Sequence, residues 1–249
     1  MAKKYNISRR AQDEFAASSY QKAEAAQKAG LFDAEIYPLT VKVTDPKTGE
    51  ETSVTVKKDD GVRPGTTVES LSKLKPAFSK DGSTHAGNAS QVSDGAAAVI
   101  LARRSVAEKH GLPIIGKFVA GTVVGVPPAI MGIGPAVAIP KLLNKTGLTV
   151  DDVDIFEINE AFASQALYSV QVTFPSCRLG LIVQHLKIPL EKVNPKGGAI
   201  AFGHPLGTTG ARQISTLLTE LKRTGKKVGL TSMCVGSGMG MAALFVAEY

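Results

Sequence analysis

Cysteine is scarce in this sequence, with 2 residues in 249, Cys177 and Cys234. Two thiols cannot build a disulfide framework or a four-thiolate zinc site, and a reducing compartment is the default. Histidine is scarce as well. His85, His110, His185 and His204 lie far apart, no pair has metal-ligand spacing, and no metal is expected. No membrane span is expected. The uncharged run 118–140 is broken by four prolines and four glycines, and the run 228–247 by Gly229, Gly236, Gly238 and Gly240. A continuous helix through either would leave backbone groups unpaired in lipid. The opening Met-Ala-Lys-Lys-Tyr has no apolar core, and the closing Ala-Glu-Tyr is not a Ser-Lys-Leu address, so no targeting signal is expected. The basic clusters Arg9-Arg10 and 222–227 lack interleaved aromatics, which argues against nucleic acid. Neither Gly132-Ile-Gly134 nor the glycines after Cys234 have dinucleotide-fingerprint spacing, so a nicotinamide site is not expected.

What remains is ordinary globular composition: 43% hydrophobic, 20% charged, with a net charge of +7 that suits an anionic ligand without naming one. Residues 8–30 read as a helix capped by Ser8 and ended by Gly30. Residues 36–60 alternate as a hairpin around Asp45-Pro-Lys-Thr-Gly49, and 61–85 read as loop. The run 95–102 predicts a buried strand or helix, and 105–110 a helix. From about residue 113 the pattern is strand (114–124), helix (135–146), strand (153–158), helix from Glu160, helix (205–224) and two strands (228–234, 241–246). That order predicts an α/β layered domain.

Three motifs carry chemistry. Gly203-His204-Pro205-Leu206-Gly207 places a histidine just before an expected helix start, where the positive helix end disfavours a second proton. A neutral imidazole there is a base or a hydrogen-bond donor; a packed turn histidine is the alternative. Cys234-Val-Gly236-Ser-Gly238-Met-Gly240 follows an expected strand, and its glycines let a ligand and backbone N–H groups come close. That suits a thiol in proton transfer beside an oxyanion hole, against the alternative of a small buried hydrophobe. Asn159-Glu160-Ala161-Phe162 sits where a strand enters a helix, so Asn159 either holds a water or carbonyl oxygen or caps the helix.

In this order, with Gly87-Asn-Ala-Ser-Gln-Val-Ser-Asp-Gly95 and Met131-Gly-Ile-Gly-Pro, these motifs resemble the thiolase family. Residues 7–16 and Gly125-Val-Pro-Pro128 are most similar to its peroxisomal 3-ketoacyl-CoA branch. The resemblance implies a thiolase-like layered fold: a C-terminal βαβαβ-type sheet covered by helices, with an α+β loop domain at the N-terminus. It implies a loop-domain remnant over 1–86, the end of the N-terminal thiolase domain over 87–112 and the C-terminal domain over 113–249. It also implies thiolysis of 3-ketoacyl-CoA in fatty-acid β-oxidation, with coenzyme A as co-substrate and no permanently bound cofactor. A homo-oligomer and a peroxisomal location follow from the same likeness. By position, the resemblance implies that His204 activates the nucleophile and donates to the thioester oxygen, Cys234 exchanges a proton at C2, Asn159 holds a water in the same oxyanion hole as His204 and the Gly236 N–H serves a second hole. Ala86, Ser90, Met131, Ala161 and Phe162 match positions lining the pantetheine.

One departure dominates. Thiolases carry a nucleophilic cysteine in an N-terminal half with its own sheet, and no such motif stands in this sequence. Cys177 has no helix start or oxyanion donors around it and is not cast in that role. The chain is expected to be the C-terminal part of a longer enzyme, inactive alone; a remnant that binds CoA or pairs with a full subunit is the alternative. Residues 162–171 read as an amphipathic helix that 185–190 continues, 172–184 interrupt it at Pro175 and Gly180, and Val170-Gln171 recurs as Val183-Gln184. The segment reads as a retained intron or gene-model error, with a genuine insertion as the alternative.

Overall fold

The computed structural model describes residues 1–171 and 186–249. The expected break at 172–184, with Cys177, and His185 lie outside the described residues. The elements in chain order are α1 (Arg9–Lys28), β1 (Leu39–Thr44), β2 (Glu51–Val56), α2 (Val68–Ser72), α3 (Arg104–Lys109), β3 (Gly116–Gly125) and α4 (Gly134–Thr146). They continue with β4 (Ile155–Ile158), α5 (Ala163–Gln171), α6 (Ala199–Phe202), α7 (Thr209–Thr224), β5 (Val228–Val235) and β6 (Met239–Ala247).

The core is a four-stranded sheet in the order β3-β6-β5-β4. Strands β4 and β5 are parallel and the other pairs antiparallel. Alternate residues of a strand point to opposite faces, and the two faces bury different helices. Phe156, Ile158, Leu230 and Leu244 pack with Ile139, Leu142 and Leu143 of α4. Ile155, Ala243 and Phe245 pack with Leu217 and Leu221 of α7. Each fully buried Leu or Ile contributes about 1.5–3 kcal/mol. A second core joins α1, through Ala16, Ala17, Tyr20 and Ala23, to Leu71, Ala163 and Ile200.

Strand β4 is the sheet edge, yet it is buried along its whole length. Val193 bridges Phe156, and the Asn194 side chain replaces a neighbouring strand, accepting from Ile158 N at 2.8 Å and donating to Ile158 O at 2.8 Å. Asn194 holds a left-handed φ of 44°, which asparagine tolerates better than most residues. The edge is therefore closed at the point where the chain turns toward Asn159.

The sequence expectations hold for α1 with its Ser8 cap, the 36–60 hairpin, β3, α4, β4 and the final strand pair. Four expectations are corrected. The 61–85 segment contains α2, held by a reciprocal cap between Thr67 and Ser70. Residues 95–102 form neither strand nor helix and are largely exposed, with Ile100 at 90% and Leu101 at 81%. Among the described residues no strand runs beside them, so an apolar run without a partner stays irregular. The helix expected from Glu160 begins at Ala163, because Phe162 bridges Ala89 in extended form. Beyond the undescribed segment, Leu186–Pro189 does not continue that helix; Ile188 N bonds Val170 O at 3.1 Å and its side chain joins the core.

Candidate active site

Because β4 and β5 are parallel, their C-terminal ends open on one rim of the sheet, the usual ligand position in such folds. Asn159 follows β4 directly, fully buried, and its backbone N–H donates to Ser232 O on β5 at 2.9 Å. Cys234 lies two residues further along β5. His204 arrives from the turn between α6 and α7, its backbone N–H donating to Gln91 O at 3.0 Å. The imidazole meets two partners: Asn159 Nδ2 lies 3.2 Å from Nε2, and Thr209 Oγ1 lies 2.7 Å from Nδ1.

These contacts fix the tautomer. The single Thr209 hydroxyl proton is donated to Pro205 O at 3.0 Å, so Oγ1 accepts from the His204 Nδ1–H. Nε2 therefore carries the lone pair and accepts from the Asn159 amide. Burial, then the nearby Arg212 cation, pushes the imidazole below its ordinary value, so it is neutral at pH 7. The expected source of that depression was the helix end. Helix α7 begins at Thr209 rather than Pro205, which leaves His204 a turn away from it. Asn159 does not cap a helix, since α5 starts four residues on and its amide turns to His204. Its Oδ1 has no hydrogen-bond partner among the described residues and can accept from a bound molecule.

Cys234 is a buried free thiol, and burial pushes its pKa up, so it holds its proton at pH 7. Past it, Gly236 sits exposed in the β5–β6 turn with open space where a side chain would be. Gly238 closes the turn at φ 95°, and a Cβ there would fall 2.5 Å from Val126 O. Gly240 and Gly134 touch backbone to backbone; a Cβ on Gly240 would lie 2.4 Å from Gly134.

Four of the five expected pantetheine positions fall on two paired segments. Ser90 N and Oγ both donate to Ala161 O, at 3.0 and 3.1 Å, and Ala163 N donates to Asn88 O at 2.9 Å. Ala86 and Phe162 are exposed at this junction, and the Phe78 ring stands edge-on to Phe162 at 6.5 Å. Met131 lies on the 3-10 turn Pro128–Ile133, whose Gly132 abuts the Gln165 side chain in the first turn of α5. The 85–90 loop is anchored beneath. Asp13 takes bonds from Arg9 at 2.8 Å, Asn88 at 2.9 Å and the buried His85 at 2.7 Å.

Sequence reading missed several residues behind this rim. Thr209, Gln213 and Thr216 lie on the buried stripe of α7, where an amphipathic helix should be apolar. That misplaced polarity, at spacings of four and three, was the available signal. Arg212 reaches Glu157 Oε2 at 3.3 Å. Burial first, countered by Arg212, leaves the Glu157 carboxyl pushed up to about 7. Glu160, also fully buried and raised by burial, is satisfied by Ser19 at 2.6 Å and Asn194 at 2.7 Å. Among the described residues no group of three His, Cys, Asp or Glu could hold a metal, and no helix is long and apolar enough to cross a membrane.

Known proteins match this chain along its length. The thiolase C-terminal domain family model matches residues 112–247, and the N-terminal domain model residues 1–105. The peroxisomal 3-ketoacyl-CoA thiolase of Yarrowia lipolytica is 64% identical over 100% of this chain and 56% of its own length. The human peroxisomal 3-ketoacyl-CoA thiolase is 61% identical over 98% of this chain and 55% of its own. The dimeric peroxisomal thiolase of Saccharomyces cerevisiae superposes with a TM-score of 0.84 at 54% identity, covering 99% of this chain and 57% of that one. Human mitochondrial 3-ketoacyl-CoA thiolase in complex with CoA gives 0.83 at 37% identity, covering 99% and 57%. The chain thus spans a little over half the length of the relatives it matches. The motifs, the layered fold and these matches agree: the chain belongs to the thiolase family.

Proposed function

We propose that this chain supplies the C-terminal part of the active site of a peroxisomal 3-ketoacyl-CoA thiolase. The whole enzyme would split a 3-ketoacyl-CoA into acetyl-CoA and a shortened acyl-CoA. The supporting observation is the neutral His204 imidazole, its Nε2 lone pair held beside Asn159 on the rim that also bears Cys234.

In this reading a cysteine outside the chain gives its proton to His204 Nε2 and bonds the 3-keto carbon. The Gly236 N–H carries the charge that develops on the 3-keto oxygen, and Asn159, through a bound water, serves the other hole at the thioester oxygen. The C2–C3 bond breaks, and the electron pair at C2 takes the proton that burial keeps on Cys234. The proton on His204 then restores the Cys234 thiol, and acetyl-CoA leaves. Coenzyme A, passing its thiol proton to His204, attacks the remaining thioester; the outside cysteine leaves as its thiolate, takes that proton back from His204, and the shortened acyl-CoA is released. CoA is thus co-substrate, with its pantetheine along Ala86, Ser90, Met131, Ala161 and Phe162. The relatives support a peroxisomal location and a homodimer.

The test is acetoacetyl-CoA cleavage by a protein completed with the part of its relatives that this chain does not span, and lacking residues 172–184. The completed protein should be active and the 249-residue chain inactive. Loss of either Cys234 or His204 to alanine should lower the rate at least about 100-fold. Near-normal rates in either variant would refute its role, and cleavage by the chain alone would refute the external nucleophile.

A further inference from the structure

The contacts on the rim form a closed circuit. His204 is tied to α7 by Thr209, and to β4 by Asn159. Two adjacent side chains tie α7 back to the strands beside Asn159: Arg212 reaches the Glu157 carboxylate at 3.3 Å, and Gln213 alone bonds the strand main chain. Gln213, 1% exposed, donates from Nε2 to Glu157 O at 2.8 Å and to Ser232 O at 3.3 Å. Ser232 O is also the acceptor of the Asn159 backbone N–H. Gln213 stands one turn, about 6 Å, along the helix from Thr209. The apolar packing of α7, through Leu217 against Gly229, lies a further turn away at the other end of the strands. A glutamine amide amid this packing must find acceptors, and both it finds are main-chain oxygens flanking the site.

From this geometry we propose that Gln213 is the positioning residue of the thiolase site. It clamps α7 to β4 and β5 and so sets the His204–Asn159 separation. It touches no substrate. It acts through the strand carbonyls on either side of Asn159, and it rests on the reading that His204 and Asn159 are the working pair.

The test needs no turnover, so it fails or succeeds separately from thiolysis. Chain labelled with ¹⁵N is compared with Gln213→Met, which keeps the volume without donors, and Gln213→Glu, which keeps the shape. In both variants the His204 Nε2 signal should shift from its wild-type position as the Asn159 contact loosens. A folded variant with lowered melting temperature but an unchanged Nε2 signal would reduce Gln213 to a structural residue and overturn the proposal. Where both variants fail to fold, the wild-type chain decides. The Gln213 side-chain amide protons should exchange slowly; exchange at the rate of an exposed amide overturns the clamp.

Discussion

Replacing Thr209 by valine keeps its shape and removes one oxygen, the atom that decides which His204 nitrogen carries the proton. The hydroxyl accepts from Nδ1 at 2.7 Å and donates to Pro205 O at 3.0 Å, and the residue is 1% exposed. Valine leaves the His204 Nδ1–H without an acceptor, which costs about 1–3 kcal/mol. The alternative open to the molecule is to move the proton to Nε2 and turn the Asn159 amide so that Oδ1 accepts it. Oδ1 has no other partner among the described residues, so that turn exchanges the Nδ2 bond to Nε2 for an Oδ1 bond to the same nitrogen. A lost bond of about 1.4 kcal/mol shifts the tautomer ratio about tenfold toward the form with no lone pair on Nε2. Long-range proton–nitrogen correlation on ¹⁵N-histidine chain reads the ratio directly. Wild type should show a protonated Nδ1 and a bare Nε2. Thr209→Val should show the two signals converging or exchanged, and Thr209→Ser should keep the wild-type pattern. A cooperatively folded valine variant with wild-type nitrogen shifts would mean that the hydroxyl does not set the tautomer.

Glu157 gives a pH signature. Its carboxyl is raised from 4.5 to about 7, so the folded state holds a proton that the unfolded chain has released. Stability from this group is complete below pH 4.5 and is lost as pH rises through about 7, with Glu35 and Glu160 acting in the same direction. Urea melts from pH 4.5 to 8 should show Glu157→Gln flattening the decline; an unchanged slope would clear Glu157 of it. Gly240→Ala drives a methyl into Gly134 and should cost about 1–3 kcal/mol or more, seen as a lowered melting temperature. A neutral result would mean that the two backbones separate freely. Asp13→Ala strips the acceptor from Arg9, His85 and Asn88 and should cost about 3–5 kcal/mol. Faster amide exchange confined to residues 85–90 would locate that loss, and an unchanged melt would deny it.

The sheet and its two covering helices were legible because apolar periodicity and glycine stops mark them plainly, as in α4 with its Gly147 end. The motifs stand out in the sequence because His204 and Cys234 lie near glycines at element ends and Asn159 lies where a strand ends. Residues 95–102 misled for a physical reason: an apolar run states a need for a partner surface, not whether one is present. The start of α7 misled because Pro205 suits a first helical position, while the chain makes a separate turn there and begins the helix at Thr209. Gln213 and Glu157 stayed hidden because their meaning lies in contacts across the fold. Buried polar groups announce themselves in sequence only as polarity on the wrong stripe of a helix.

The backbone contact between Gly134 and Gly240 bears on how the rim carries load. The turn holding Met131 leads straight into Gly134, and the turn holding Gly236 returns through Gly240. Val126 N bonds Gly238 O at 2.8 Å, so the two turns are stapled at a second point. No side chain stands between them to flex or change rotamer. The two turns are therefore joined main chain to main chain, and in the reading proposed above a ligand held on the Met131 side would meet a Gly236 side already aligned with it. The cost of ordering that surface is met when the chain folds, not when a ligand arrives, which leaves more of the contact energy available for holding the ligand.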